Sequence, residues 1–419
     1  MRKSTIIMLA VSLLVLFSGA AVAQDYADEI TVYNSGDLEH DPATAYDIKR
    51  FEKEYGVKVN VVEVPWQYQI DKLTTVFSSK SDKVDAFVGS YFMLNNFAMP
   101  GWLEPIGFTE KEKEKFSPGV IKASTYQGTT YGAPLMLKDT ELYYRKDLLE
   151  AEGLEVPKTW DELVNAAKKL TKDKDGDGNI DQYGFAYLGA DKLGFTFRTF
   201  LYQSGGEMFD ENLNPVFNSS AGVKALTFMS DLINKHQVTP KGIISMGEGN
   251  VGDLFISGKV AMVESVPPLH ERIMNSDLSG KASLALVPEG SAGNTTYLDG
   301  NVIYVSSFSK KKETAKAFAK FMSSYESSLH ELVREGNNSP NPSVFNDPRV
   351  KEKFPEKWVN VMQESVSDVK AEPYPLYLQV EQTLRQEIQK ALNGSKAPQK
   401  ALDDAAAQIE ELYTNVLGI

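Results

Sequence analysis

Between Ile30 and Val88, three short β-branched or apolar runs alternate with two stretches of helical spacing. Ile30–Asn34 and Val57–Val64 carry the branched side chains that suit a pleated strand, and Val84–Val88 is a shorter apolar run of the same kind. Ala45, Ile48, Phe51 and Tyr55 recur at three- and four-residue spacing, which predicts a helix over 42–55 ended by Gly56. A second helix is predicted over 67–79. Strands separated by helices return to one sheet in parallel, and such a sheet is covered on both faces. The fold class expected is therefore α/β.

The pattern recurs with breaks. Tyr131–Leu137 reads as a strand, and Leu142–Leu149 as the start of a helix. Thr159 and Glu162 form a capping box ahead of Trp160, Leu163, Ala167 and Leu170. Val223, Leu226, Met229 and Ile233 predict a helix over 221–236. Val260–Glu264 and 302–306 read as strands, 311–324 as a helix, and the C-terminal stretch as two helices on Val380, Leu384, Ile388 and Leu392, then Leu402, Ile409, Leu412 and Val416. Three segments lack periodicity: the vicinity of Lys138 and Asp139, residues 289–296 and residues 336–343. They are read as three passages between two lobes.

Residues 1–23 read as an export signal. Arg2 and Lys3 precede an apolar run from Thr5 to Phe17, and Ala21-Val22-Ala23 forms a small-x-small cleavage site before Gln24. The run falls short of the ~20 residues that span a bilayer. The chain has no cysteine, which excludes disulfides, thiolate metal sites, a cysteine nucleophile and a lipid-bearing N-terminal cysteine. Its net charge of −13 argues against a nucleic-acid partner, which needs a basic face. The expectation is an exported, periplasmic, monomeric protein.

Asp173-Lys-Asp175-Gly-Asp177-Gly178-Asn179-Ile-Asp181 places oxygen ligands at the leading positions of a calcium loop, with Gly178 at the sharp turn. Asp173, Asp175, Asp177, Asn179 and Asp181 are the candidate ligands of a structural Ca²⁺. Position 12, where such loops carry a bidentate glutamate, is Gly184. Gly247-Glu248-Gly249-Asn250-Val251-Gly252 has dinucleotide-loop spacing, but Glu248 would face a pyrophosphate, so a helix-entry loop is expected and no organic cofactor. There is no G-x-S-x-G and no H-E-x-x-H. His40, His236, His270 and His330 are scattered; His236 reads as a helix C-terminal residue, His270 and His330 as surface residues.

Trp66, Tyr91, Phe92, Tyr143, Tyr144, Tyr374 and Tyr377 fall at predicted strand ends or in loops. In an open α/β sheet ligands bind beyond the carboxyl ends of the strands. Aromatic planes there suit the apolar faces of sugar rings, whose hydroxyls need polar partners.

Several motifs then point one way. Leu142-Tyr143-Tyr144-Arg145-Lys146-Asp147-Leu148-Leu149, Val156-Pro157-Lys158-Thr159-Trp160-Asp161-Glu162-Leu163, Asp181-Gln182-Tyr183-Gly184-Phe185, Phe255-Ile256-Ser257-Gly258-Lys259-Val260-Ala261-Met262 and the helix Lys311 to Met322 occur in that order. With them the chain, over residues 24–419, resembles the extracellular solute-binding proteins of family 1, which serve ABC importers of sugars. The resemblance implies a two-lobe periplasmic-binding-protein type II fold with three interlobe crossovers. Residues 24–137 and 298–338 would form the N-terminal lobe, and residues 138–297 and 339–419 the C-terminal lobe. It implies a ligand held in the interlobe cleft by Asp37, Trp66, Tyr91, Asp139, Tyr143, Glu264, Gly300, Asn301, Asn338, Tyr374 and Tyr377. Two departures stand out: Val263-Glu264-Ser265-Val266-Pro267-Pro268 lacks the tryptophan many members carry after Ala-Met, and Glu372 stands where many carry arginine before the late proline.

The function expected is that of a binding subunit, not an enzyme: it takes a carbohydrate, closes over it and delivers it to a membrane permease. The alternatives are a non-sugar ligand on the same fold, a polyol phosphate or a polyamine, or an exported glycan-cleaving enzyme. Carboxylate pairs for the last cannot be read from linear spacing.

Overall fold

The computed structural model describes residues 26–35, 38 and 41–418. The export segment, Asp37 and His40 lie outside the described residues. Glu29–Ser35, Lys58–Val64 and Ala86–Ser90 are strands, and the first is parallel to both others, with Val32 opposite Val61 on one side and Ala86 on the other. The helix Pro42–Tyr55 between the first two has proline in its first turn, Asp41 accepting from the Thr44 amide, and Gly56 in the left-handed region at φ 69°. Each device satisfies or removes an end group that would otherwise lack a partner. Ile48 and Phe51 on its inner face pack with Ile30, Val32, Ile303 and Phe318.

Asp299–Ser306 completes this sheet antiparallel to Ala86–Ser90, with Gly132–Lys138 and Leu103–Glu104 beside it. The sheet order is thus 58–64, 29–35, 86–90, 299–306, 103–104, and a strand far along the chain lies next to the third. A second sheet of four strands runs Ala282–Ala285, Glu141–Arg145, Val260–Ser265, Tyr183–Ala186. The chain passes between the sheets after Lys138, between Ala285 and Asp299, and again from Glu335 to Asn341, where Asn338 bridges Leu137. In the second passage Thr296–Tyr297 pairs in parallel with Val369–Lys370. No described helix is long and apolar enough to cross a membrane.

Two expectations are corrected. Residues 142–145 are strand, not helix: Leu142, Tyr143 and Tyr144 are hydrogen-bonded between two neighbouring strands, and the helix is confined to Lys146–Ala151. Burial on both faces gives a strand a run of apolar residues that linear reading confuses with a helix. The Gly247–Gly252 motif is not a loop leading into a helix, since the helix Glu248–Ile256 already contains Gly249 and Gly252.

Candidate functional site

The strand Lys58–Val64 ends at Pro65, and Trp66 opens the next helix, 41% exposed. Ala86–Ser90 ends in the turn Tyr91–Met93, which brings Phe92 against Trp66, edge to face at 5.4 Å between centroids. From the other lobe, Leu376 takes a left-handed conformation at φ 55° and sets Tyr377 at the start of the helix Tyr377–Leu392. Backbone in that region is costly without glycine and concentrates at functional sites. Phe92 and Tyr377 stack at 3.7 Å with 8° between planes, and Tyr374 stacks on Tyr377 at 5.3 Å. Asn95 Nδ2 donates to the Pro373 carbonyl at 2.7 Å and fixes the same approach. Rings of both lobes thus form one array, open to solvent at Trp66.

Polar groups lie beside it. Asp299 begins the strand that joins the first sheet; its Oδ1 accepts from the Ser90 hydroxyl at 2.6 Å and the Gly300 amide at 2.8 Å. Its Oδ2 is 3.2 Å from Lys192 Nζ, which leads into the helix Leu193–Gln203 of the other lobe. Burial alone would lower the Lys192 ammonium, but the Asp299 and Glu248 carboxylates outweigh it and hold the group above its ordinary range. Burial would raise Asp299, but Lys192 and the hydrogen bonds from Ser90 and Gly300 hold it below. Gly300 sits at φ 137°, and a Cβ there would be 2.2 Å from the Met136 carbonyl oxygen. Asn301, half-buried, follows it at an irregularity in the pairing with Gly132–Lys138. Arg198 is fully buried, pairs with Glu381, and lies over the rings of Tyr297, Tyr374 and Tyr377 at 4.7, 5.6 and 5.6 Å. Such a cation is attracted to the negative faces of the rings.

The bacterial extracellular solute-binding protein family matches this chain over residues 36–328. The chain belongs to that family. Among relatives, a binding protein of Brucella abortus is 29% identical over 273 residues, 64% of this chain; the chain spans 65% of that relative's length. The galactooligosaccharide-binding protein of Bacillus subtilis is 25% identical over 397 residues, covering 93% of this chain and 90% of that one. Among solved structures, maltose-bound MalE3 of T. maritima superposes with a TM-score of 0.79 at 28% identity, covering 92% of this chain and all of that one. The fold of this solute-binding protein is that of the maltose-binding type, as the resemblance implied.

Of the eleven ligand-binding candidates, the solute-binding protein gathers Trp66, Tyr374, Tyr377, Gly300 and Asn301 at or beside the array. Tyr91 is wholly buried, and its hydroxyl, with no hydrogen-bond partner among the described residues, is held above its ordinary range by burial, then by Tyr304 and the Asp299 charge. Asp139, Tyr143 and Asn338 form a knot at the crossovers. Asn338 Nδ2 lies 2.8 Å from Asp139 Oδ1 and 3.0 Å from Glu141 Oε1. Tyr143 Oη donates to Glu141 Oε2 at 2.9 Å, and His270 Nε2 lies 2.6 Å from the same oxygen. His270 Nδ1 faces the Gly336 carbonyl at 3.2 Å, so it carries a hydrogen. These side chains are buried, and burial, then the Glu141 charge, pushes Asp139 up to about 6. Tyr143 and Tyr144 therefore belong to a central strand and not to a loop mouth, and His270 is core rather than surface. His330, expected at the surface, is half-buried with Nδ1 2.8 Å from Asp47. Glu264 is buried near the end of Val260–Ser265; burial pushes it up to about 8, and Oε1 has no partner among the described residues. Phe92, Lys192, Arg198, Tyr297 and Asp299 are not among the eleven, although Asp299 adjoins Gly300 and Phe92 follows Tyr91.

The acidic loop lies on the surface, closed at its base by a bridge between Lys172 and Gln182. Carboxylate oxygens of Asp173, Asp175 and Asp177 lie within 4.8 Å of one another. Asp173 accepts from the Gly176 and Gly178 amides at 2.7 and 2.9 Å, and the Gly178 bond leads in holding it below the ordinary carboxylate range. Asn179 spends its side-chain amide on Asp177, and Asp181 accepts from the Lys174 amide at 2.7 Å. Gly184 has no room for any side chain: a Cβ there would be 1.9 Å from the Ala167 carbonyl oxygen.

Proposed function

We propose that this chain is the solute-binding subunit of an ABC importer, taking a carbohydrate between its lobes and presenting the closed form to a membrane permease. One observation carries the reading: Trp66, Phe92 and Tyr377 form a stacking array drawn from both lobes, with the Lys192–Asp299 pair alongside. A sugar ring offers an apolar face to such a platform, and its hydroxyls exchange bonds with the carboxylate and ammonium. The work is binding and closure, with no bond made or broken. The galactooligosaccharide and maltose proteins to which the chain is similar support the ligand class. On this reading the protein acts outside the cytoplasm as a monomer after loss of residues 1–23, and Asp173, Asp175 and Asp177 hold a structural Ca²⁺.

The test is a thermal-shift screen of the mature protein against mono-, di- and trisaccharides and alditols, since a ligand at ~100 times its Kd adds about 2.7 kcal/mol of stability. A rise with a saccharide supports the reading. A rise only with polyamines or sugar phosphates moves the chain to another solute class.

A further inference from the structure

The rings of the interlobe array are not equally open to a ligand. Phe92 and Tyr377 are 5% and 9% exposed, because each covers the other at 3.7 Å with nearly parallel planes. Tyr374, buried, stacks on Tyr377 at 5.3 Å. Of these rings Trp66 alone is well exposed, and it meets Phe92 edge to face. The array therefore offers a ligand one free plane, at its Trp66 end.

The closed part is pinned from both lobes. On one side, Tyr374 Oη donates to Glu381 Oε1 at 2.8 Å, and Glu381 lies one turn into the helix that Tyr377 begins. The buried Arg198 pairs with Glu381 and donates to the Tyr374 hydroxyl, so the tyrosines are backed by a charge pair. On the other side, Phe92 belongs to the turn after Ala86–Ser90 and packs into the main core, and Asn95, three residues on, holds the Pro373 carbonyl at 2.7 Å. Burial holds the Tyr377 hydroxyl above its ordinary range, and the charges of Arg198, Asp299 and Lys192 act on it. One ring thus borders both the stacking array and the cross-lobe ion pair.

A sugar unit seated on Trp66 has the closed Phe92–Tyr377 contact beside it. A second unit finds no free plane there, because those two rings are already taken by each other. Space for it opens when the rings part and the bonds of Asn95 and Tyr374 are disturbed, and forcing bulk into filled space costs more than the added contacts contribute. Selectivity of this kind comes from what a site refuses as well as from what it holds. We infer that the Phe92–Tyr377 contact sets the length of the ligand: the site grips one sugar ring, or an alditol of similar size, and gains no affinity from further units. This rests on the carbohydrate reading of the same site and narrows it.

The experiment is isothermal titration of the whole mature protein with matched series: glucose with maltose and maltotriose, galactose, xylose and arabinose with their own oligomers, and mannitol and ribitol beside them. The expected result is a monosaccharide or alditol as the tightest ligand, with no di- or trisaccharide tighter. Tyr377→Ala and Phe92→Leu, each checked by a melting curve, are expected to raise the affinity for disaccharide relative to monosaccharide by about tenfold. A gain of about tenfold or more from one unit to two or three in the wild type, or an unchanged ratio in a folded variant, would overturn the inference and leave the carbohydrate reading standing. The wild-type series decides even where neither variant folds. No binding by any member of the series would overturn the carbohydrate reading itself, and the length limit with it.

Discussion

Lys192 Nζ and Asp299 Oδ2 lie 3.2 Å apart, although 107 residues separate them in the chain. One leads into a helix packed on the second lobe, and the other starts the strand that re-enters the first sheet. The pair therefore joins elements that must keep their distance for the array to stay closed. Lys192→Met leaves Asp299 with Ser90 and Gly300 as partners and removes the charge across the lobes. Ligand affinity is expected to fall by about 2 kcal/mol, that of a hydrogen bond to a charged group, and the melting temperature of the free protein to fall as well, because the buried Asp299 carboxylate loses its cation. Calorimetry at a temperature where the variant is fully folded separates the two effects: unchanged affinity there would make the pair structural only.

Glu264 gives a signed pH dependence. Its folded value is pushed up to about 8 by burial, above the ordinary glutamate value. The native state then holds a proton the unfolded chain has released, so the group's contribution is whole below about pH 4.5, declines as pH rises and is lost through about 8. The slope over that window is about 1.4 kcal/mol per pH unit at most. Glu264→Gln is expected to match the wild type near pH 4 and to be clearly more stable at pH 9. Denaturant titrations at both pH values check it, and parallel curves would contradict it.

Gly300→Ala tests the backbone at the site. The left-handed φ, and the Met136 oxygen 2.2 Å from where a Cβ would stand, leave no unstrained placement for a methyl group. A cost of more than about 2 kcal/mol is expected, together with loss of ligand binding as Asn301 and Asp299 shift. A variant as stable as wild type would show that this strand start is not fixed as described.

The acidic loop predicts a chelator effect. Three carboxylates this close repel unless a cation offsets them. Chelation is expected to lower the melting temperature without changing ligand affinity, and Asp175→Ala to abolish the difference. Gly184→Glu does not restore a twelfth-position ligand, because the Ala167 carbonyl occupies the space; it is expected to unfold the strand Tyr183–Ala186. Melting curves that coincide with chelator and with millimolar calcium would reduce the segment to a hydrogen-bonded turn.

The alternation over residues 30–88 is legible because each helix buries one face and so shows a period. Leu193–Gln203 is not, since all its residues are buried and no period survives. Trp66 and Tyr377 can be found as aromatics expected beyond strand ends. Lys192 and Asp299 cannot, because each becomes notable only opposite the other. Tyr143 shows the limit of position without orientation: it lies on the strand that follows the first passage, and the alternation of that strand turns the ring toward Glu141 and His270.

On the proposed function a sugar rests on Trp66, the open end of the array it forms with Phe92 and Tyr377. Isothermal titration of the screened saccharide into the wild type and Trp66→Ala measures that contact. Trp66 is 41% exposed, so its removal leaves the core intact. Saturable one-to-one binding that weakens by about 2 kcal/mol or more in the variant, at an unchanged melting temperature, is the result expected. Equal affinity in the two proteins, or no saccharide that binds the wild type, would contradict the account.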